Sequence, residues 1–222
     1  MKNLKQLLYD SFTYKNPASP CCQPFIQDGK LCSTNGKMLI RIDKNLVSAE
    51  DTLPMGIIEK QRNVPITKAV IHQPETCTPL TKDELEKAVK KAKIVEEYVP
   101  CDDCCGRGTV TWEYYSLDGC RYTKELECPV CDGTGHKEAT GRRIPDPNQV
   151  YKLSKTYFKG DSIGVLIKTM EMLEVDKLFI RYLNDSLMQL TMDETDSVEI
   201  VIATVAEPEK FRYIIKIPCS LQ

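Results

Sequence analysis

The chain has 222 residues, of which 41% are hydrophobic and 28% are charged, and its formal net charge is −2. These values are ordinary for a globular protein of one or two domains. No apolar run reaches the length of a secretory signal or a membrane span, so we expect a cytoplasmic protein that does not contact a membrane. Eleven cysteines are unusual in a reducing compartment unless some of them bind a metal.

Residues 1–75 form the first predicted segment, the first half of an α+β body. Leucines near the N-terminus indicate a short helix, which prolines then end. Two dipeptides typical of tight turns, Asp28-Gly29 and Asn35-Gly36, are each flanked by apolar residues. Because such dipeptides favour hairpin turns, three short antiparallel strands are predicted after the helix.

Residues 76–150 form the second predicted segment, a helix followed by a cysteine-rich module whose core spans residues 99–137. A capping box begins at Thr81, and it places the start of a helix directly after it. The helix is predicted over residues 82–96. Residues 137–150 are expected to be a returning connector.

The cysteine-rich module contains the pattern CxxCxGxG twice. The two copies are Cys101-Asp-Asp-Cys104-Cys105-Gly106-Arg107-Gly108 and Cys128-Pro-Val-Cys131-Asp132-Gly133-Thr134-Gly135. Two pairs of thiolates match the tetrahedral sulfur shell of a structural zinc site, and glycine lets the backbone curl around the metal. The predicted ligands of one Zn²⁺ ion are Cys101, Cys104, Cys128 and Cys131.

Two alternative roles for these cysteines are a redox-active dithiol and a disulfide framework. A redox CxxC lies between a strand and a helix, whereas the glycines after each pair here oppose a helix. Four protein thiolates would fill every coordination position, so the zinc is predicted to be structural rather than catalytic. Cys105 and Cys120 are spare thiols that could replace a ligand, but the paired spacing argues against it.

The two repeats resemble the cysteine-rich zinc-binding region of DnaJ-type co-chaperones. That family carries four such repeats and binds two zinc ions, so two repeats here imply one ion. The resemblance covers residues 99–137, and the sequence lacks the His-Pro-Asp tripeptide of the J domain. It therefore implies a zinc site more strongly than it implies chaperone activity.

The sequence between the two repeats predicts a β-hairpin. A run of β-branched and aromatic residues begins at Thr109, a turn follows at Asp118-Gly119, and the return strand ends at Glu127. Such a hairpin is marginal alone, and metal binding would supply the folding energy that it lacks. Its aromatic residues exceed what a two-stranded ribbon can hide, and they are predicted to bind a partner: Trp112, Tyr114, Tyr115 and Tyr122.

Residues 150–222 form the third predicted segment, the second half of the α+β body. Apolar residues at helical spacing predict a helix that begins near Asp161. Apolar runs then predict strands at residues 177–183, 187–192, 198–203 and 211–217. A helix followed by three strands repeats the plan of the first segment.

This shared plan, together with the sequence from Leu31 to Ile42, resembles the bacterial replicative sliding clamps. A domain in that family consists of two βαβββ halves side by side, and Asn35 stands where the clamp turn usually has Asp. The resemblance implies an α+β fold: a single clamp-like domain of two helix-plus-antiparallel-strand halves, with the zinc-binding hairpin inserted between them. A full clamp has three such domains, whereas this chain has room for one. The alternative is a generic α+β domain whose hairpins use common turn chemistry.

Other candidate sites are weaker. The two histidines are His72 and His136, and His136 follows the second repeat, where a surface position is favoured over metal ligation. Cys21 and Cys22 are adjacent thiols in a proline-bounded loop and are more simply incidental than redox-active. Neither a nucleophile–base pair nor a phosphate-binding glycine loop is visible, so the chain is not expected to be an enzyme.

Charge distinguishes between two kinds of partner. Between residues 101 and 136 the sequence has seven acidic and three basic residues. Phosphate contacts need lysine and arginine, so an acidic, aromatic hairpin suits a protein partner better than a nucleic acid. The predicted function is protein–protein interaction through a zinc-stabilised hairpin. The alternative is a DNA-associated accessory protein related to sliding clamps.

Overall fold

The computed structural model describes residues 7–13, 23–27, 29–47, 78–183, 186–192, 197–207 and 213–218. The chain divides into two compact units. The first unit comprises Met1–Lys93 and Pro145–Gln222, and the second unit comprises Ile94–Ile144. Among the described residues, no helix is long and apolar enough to cross a membrane.

The first unit contains the helices and most of the strands. Its helical elements are a π-helical turn at Leu8–Phe12, a 3₁₀ turn at Lys44–Leu46, α1 at Lys82–Val89 and α2 at Gly160–Leu173. Its strands are β1 (Phe25–Gln27), β2 (Lys30–Thr34), β3 (Met38–Asp43), β4 (Thr78–Thr81), β9 (Val150–Leu153), β10 (Thr156–Lys159), β11 (Lys177–Leu183), β12 (Leu187–Thr191), β13 (Val198–Ala203) and β14 (Ile214–Lys216).

The second unit consists of strands and turns in its described residues. Its strands are β5 (Ile94–Pro100), β6 (Thr109–Tyr115), β7 (Arg121–Glu127) and β8, which begins at His136 and ends at Pro145 on the boundary between the units.

A seven-stranded sheet runs through the first unit in the order β1-β2-β3-β13-β12-β11-β4. Every neighbouring pair in it is antiparallel. The join between the two flanking parts of the chain is β3 against β13, where Ile40 pairs with Ile200. One sheet is therefore built from segments that lie more than a hundred residues apart in the sequence.

The turns predicted on either side of β2 are confirmed. Gly29 and Gly36 have φ values of 75° and 85°, a backbone region that costs glycine little. The side-chain oxygen of Asn35 accepts hydrogen bonds from the N–H groups of Lys37 and Met38 at 3.0 and 2.8 Å. This local turn chemistry positions β2 against β3.

The core of the first unit lies between the sheet and the two helices. Leu85 and Ala88 of α1 and Leu166 and Met170 of α2 are buried in one apolar cluster with alternate residues of the sheet, such as Ile200. The predicted capping box is present: the hydroxyl of Thr81 accepts from the N–H of Glu84 at 3.2 Å, and Glu84 accepts from the N–H of Thr81 at 2.8 Å. The helix predicted near Asp161 is also confirmed.

A buried ion-pair group lies on strands β2, β3 and β13. The carboxylate of Glu199 accepts a hydrogen bond from Arg41 at 3.1 Å and also pairs with Lys30. The side chains of Glu199 and Arg41 are 5% and 7% exposed. Breaking such a pair leaves an uncompensated buried charge.

Two predictions about residues 82–150 are wrong. The helix ends at Val89 rather than at residue 96, and residues 94–100 form β5 instead. Residues 137–150 are not a connector, because β8 occupies most of them and pairs with β5. Ile94, Val95 and Val99 are β-branched and alternate in burial along β5, which favours a strand over a helix.

The strand predicted at residues 211–217 is shorter than expected and has an unexpected partner. β14 covers only Ile214–Lys216 and pairs in parallel with β9, in a three-stranded sheet of order β10-β9-β14. The strands predicted at 177–183, 187–192 and 198–203 are confirmed within one residue.

Candidate metal centre and aromatic hairpin

The structure brings four predicted cysteines together in the second unit. The sulfur atoms of Cys101, Cys104, Cys128 and Cys131 all lie within 4.8 Å of one another, and all four side chains are buried. The Sγ atoms of Cys101 and Cys128 are 3.9 Å apart, and those of Cys104 and Cys131 are 3.8 Å apart. All four are free thiols. This cluster could hold a metal ion at its centre.

The two repeats build this cluster with matching hydrogen bonds. In the first repeat, the N–H of Gly106 donates to the carbonyl of Cys101 at 2.9 Å, and the N–H of Gly108 donates to the sulfur of Cys104 at 3.3 Å. In the second repeat, the corresponding bonds are Gly133 to Cys128 at 3.1 Å and Gly135 to the sulfur of Cys131 at 3.2 Å. The sequence repeat is therefore a repeat of structure.

Each repeat also donates to the other. The N–H of Cys101 donates to the carbonyl of Gly135 at 2.9 Å, and the N–H of Cys128 donates to the carbonyl of Gly108 at 2.8 Å. The backbones consequently approach so closely that only glycine fits. A Cβ on Gly108 would lie 2.3 Å from the carbonyl oxygen of Gly133, and one on Gly135 would lie 2.5 Å from that of Gly106.

The environment of the cluster favours ionised sulfur at Cys104. Burial raises the pKa of a thiol, but the hydrogen bond from the N–H of Gly108 and the three neighbouring thiols lower it, and the pKa of Cys104 falls to about 7. Backbone N–H groups lower the pKa of Cys101, but burial and hydrogen bonds with the thiols of Cys104 and Cys131 outweigh them and raise it to about 11. The thiols of one cluster therefore differ in how readily they ionise.

The neighbouring thiols and histidine lie outside the cluster. Cys105 and Cys120 are exposed. The ring of His136 stacks on Tyr98 with 5.5 Å between centroids, and His136 is exposed, as expected of a surface residue. His72, Cys21 and Cys22 lie outside the described residues.

The predicted hairpin is confirmed, and its register divides its side chains between two faces. Val110 lies opposite Leu126, Trp112 opposite Lys124, and Tyr114 opposite Tyr122. Directly opposed residues share a face, and successive residues alternate between faces. We call the side that carries these six residues the aromatic face.

The aromatic face is exposed along most of its length. Trp112, Tyr114 and Tyr122 are 55%, 62% and 49% exposed, and the rings of Tyr114 and Tyr122 stack with 5.1 Å between centroids. At the base of the hairpin, the partly buried Val110 packs against the four cysteines. The aromatic face therefore begins at the four-cysteine cluster and extends outward along the hairpin.

The opposite side of the hairpin is acidic. It carries Glu113, Glu125 and Glu127 together with threonines, Tyr115 and Arg121. Arg121 forms an ion pair with Glu113. We call this side the acidic face. The sequence pattern groups Tyr115 with Trp112, Tyr114 and Tyr122, but Tyr115 lies on the opposite face. The alternation of side chains along a strand could have revealed this, because Tyr115 is an odd-numbered residue and the other three are even-numbered.

Sequence reasoning missed the N–H···S bonds of Gly108 and Gly135, which hold two of the sulfurs in place. The only available signal was the second glycine of each repeat, at a constant four residues after a cysteine. The spacing both forms a turn and brings the N–H of the glycine to the sulfur of the cysteine four residues before it.

Neither a protein-family model nor a curated protein matches the sequence. Solved structures of bacterial sliding clamps are among those similar to this chain, with TM-scores below 0.5. The clamp of Caulobacter crescentus is 11% identical with a TM-score of 0.44, covering 90% of this chain and 63% of that one. DNA polymerase III subunit beta of Borrelia burgdorferi is 12% identical with a TM-score of 0.45, covering 91% and 60%. The same subunit of Pseudomonas aeruginosa is 9% identical with a TM-score of 0.44, covering 91% and 64%. The chain thus spans 60–64% of the length of these proteins.

Proposed function

We propose that this chain is a non-enzymatic protein that binds another protein through the aromatic face of the β6–β7 hairpin, with one structural Zn²⁺ ion at the base of that hairpin. The observation that carries the proposal is the exposure of three aromatic side chains on one side of a ribbon that begins at a buried four-cysteine cluster. Large exposed aromatic surfaces rimmed by polar residues mark interaction sites.

Zinc fits the donor set and its dimensions. A tetrahedron of sulfur atoms 2.3 Å from a central zinc has edges of about 3.8 Å, close to the two separations of 3.8 and 3.9 Å. Four buried thiolates leave no coordination position for water or substrate, which is the arrangement of a structural site. The resemblance of the two repeats to the DnaJ-type zinc-binding region supports the same ion.

A protein partner fits the hairpin better than DNA does. Residues 109–127 include four acidic and two basic side chains, and one of the basic side chains is already paired within the acidic face. Binding to a phosphate backbone depends on lysine and arginine. Tyrosine and tryptophan are instead the residues most enriched at protein–protein hot spots.

Elemental analysis tests the metal. We expect one zinc and no iron per chain, since iron is the other ion that prefers four thiolates. The Cys104→Ser variant should lose the metal, whereas Cys105→Ser should keep it because that neighbouring thiol is exposed and outside the cluster. Two metals per chain, or retention of zinc by Cys104→Ser, would contradict the assignment.

A matched pair of tyrosines tests the binding face. A photocrosslinking amino acid is placed at Tyr114 or at Tyr115, and the protein captured in cells is identified, purified and titrated. Tyr114→Ala should weaken its binding at least tenfold, whereas Tyr115→Ala, on the opposite face, should change it less than threefold. Equal effects of the two substitutions would show that the aromatic face is not the binding surface.

A further inference from the structure

The outer edge of β7 offers backbone groups that pair with no other strand in the described part of the chain. The ladder of the hairpin is bounded by hydrogen bonds from Ser116 to Cys120 at 3.0 Å and from Cys128 to Gly108 at 2.8 Å. In an antiparallel pair, residues that exchange hydrogen bonds alternate with residues that do not. The odd-numbered residues of β7 therefore point their N–H and C=O groups away from β6.

No described strand occupies that edge. β6 and β7 form a sheet of their own, with no third strand among the residues that the structure describes. Every residue of β7 is exposed, whereas the first two residues of β6 are partly buried. An exposed strand of seven residues with free backbone groups is a template for the addition of another strand.

The side chains along β7 define the chemistry of the added strand. Glu125 and Glu127 stand two residues apart on the acidic face, and neither forms an ion pair within the described part of the chain. Tyr122 and Leu126 alternate with them on the aromatic face. A strand beside β7 would meet the carboxylates of Glu125 and Glu127 on one side. On the other side it would meet the apolar surface of Tyr122 and Leu126, with Lys124 between them.

We propose that the outer edge of β7 binds an extended segment of the partner protein as a third, antiparallel strand, in which lysine or arginine residues alternate with apolar residues. This inference rests on the proposed function, because it identifies the class of partner that the hairpin recognises. The basic side chains lie beside Glu125 and Glu127, and the apolar side chains extend the aromatic face.

The probe is a blocked heptapeptide of sequence Lys-Val-Lys-Val-Thr-Val-Glu. Aligned antiparallel to β7, it places lysines opposite Glu127 and Glu125 and its glutamate opposite Arg121. Binding is followed by the fluorescence of Trp112, the single tryptophan of the chain. We expect saturable binding below about 1 mM, the affinity range of a weak strand–strand contact. No binding at that concentration overturns the inference.

Backbone methylation of the peptide distinguishes strand addition from simple side-chain contact. In the antiparallel alignment, the N–H groups of the two lysines and the threonine point toward β7, and those of the three valines point away. N-methylation of the two lysines and the threonine should reduce the affinity of the peptide at least tenfold. N-methylation of the three valines should change that affinity less than twofold. Equal effects of the two sets overturn the inference.

Two pairs of protein variants match this test. Thr123→Pro removes an N–H that points outward from the β7 edge and breaks no hydrogen bond to β6, so it should abolish binding of the peptide. Thr111→Pro removes an outward N–H from the opposite edge, on β6, and should leave binding of the peptide unchanged. Glu125→Lys should weaken binding about threefold to tenfold. Glu138→Lys, an equal charge change on an exposed residue of β8, should alter it less than twofold.

The outcomes separate this inference from the proposed function. If Tyr114→Ala weakens binding of the crosslinked partner but both methylated peptides bind alike, the aromatic face binds protein and strand addition is wrong. If Tyr114→Ala and Tyr115→Ala act equally on that partner, the proposed function itself fails. Retained zinc in each variant shows that the hairpin's base is intact.

Discussion

Replacing one sulfur ligand should unfold the second unit while the first unit stays folded. Cys104→Ser leaves three thiolates, which cannot close a tetrahedron around the metal. The Gly108 N–H also loses the sulfur that it contacts at 3.3 Å. Cys105→Ser is the control, because it changes the adjacent thiol, which is exposed and outside the cluster.

The expected loss of folding free energy is large, because few apolar contacts stabilise the second unit. Structural zinc contributes about 10–16 kcal/mol to the folding of small zinc-binding peptides. The described apolar cluster of this unit contains only the four cysteines, with Val110 packed against them. Burying one valine contributes at most about 2 kcal/mol. The loss of metal therefore exceeds the remaining apolar stabilisation several-fold.

Hydrogen exchange measures the effect at individual amides. The even-numbered amides of β6 and β7, such as Trp112 and Lys124, face the partner strand and should be protected in the native protein. In Cys104→Ser they should exchange at least 100-fold faster, which corresponds to about 2.7 kcal/mol. Amides of β13 should be unchanged, because every residue of the apolar clusters in that sheet belongs to the first unit.

Three results would refute this reasoning. Unchanged protection of the hairpin in Cys104→Ser would show that the metal does not stabilise it. Loss of protection throughout the chain would show that the first unit depends on the metal centre as well. Loss of hairpin protection in the Cys105→Ser control would mean that the cluster has been assigned to the wrong sulfurs.

Three further predictions concern other parts of the structure. Gly108→Ala should lower zinc affinity at least tenfold, whereas Gly119→Ala, also at positive φ but with open space around it, should leave it unchanged in a competition assay with a chelator. Glu199→Gln should lower the free energy of unfolding by about 3–5 kcal/mol in urea, because it removes a carboxylate that pairs with the buried Arg41. Burial raises the pKa of Tyr151 to about 12. The stability that this shift contributes is complete below the pKa of about 10 in the unfolded chain and falls as the pH rises toward 12. In thermal melts between about pH 10 and 12, Tyr151→Phe should therefore lose less stability with rising pH than the native protein.

Local sequence signals predicted the local parts of the fold. The dipeptides at Asp28-Gly29 and Asn35-Gly36 sufficed to locate β1, β2 and β3, because hairpin turns depend on φ values that few residues adopt. The capping box at Thr81 likewise located the start of α1. Each of these features is determined by contacts within a few residues.

Features that depend on distant pairing could not be predicted from those signals. Residues 94–100 contain glutamates that are compatible with a continued helix as well as β-branched residues that favour a strand, and the pairing with β8, some forty residues later, decides between the two. The parallel pairing of β14 with β9 similarly joins residues about 64 positions apart, Ile214 with Val150. The sequence shows both strands of such a pair but not their association.

The candidate site was easier to predict than the fold around it. The clustering of Cys101, Cys104, Cys128 and Cys131 depends on a residue type and a spacing, and both can be read from the sequence. The two faces of the hairpin required its register as well. Once the turn at Gly119 is known, the alternation of side chains separates Tyr115 from the other aromatic residues.

The four-cysteine cluster and the register of the hairpin depend on each other. The hydrogen bond from Cys128 to Gly108 continues the β6–β7 ladder directly into the two repeats, so the positions of the sulfurs determine which residues of the two strands are opposed. A slip of β7 by one residue would move Tyr122 to the acidic face and carry Cys128 away from Gly108. A bound ion, by holding Cys104 and Cys128 in one cluster, resists that slip. A metal ion bound there would therefore do more than stabilise a marginal hairpin, because it would select the register in which the aromatic side chains lie together on one face.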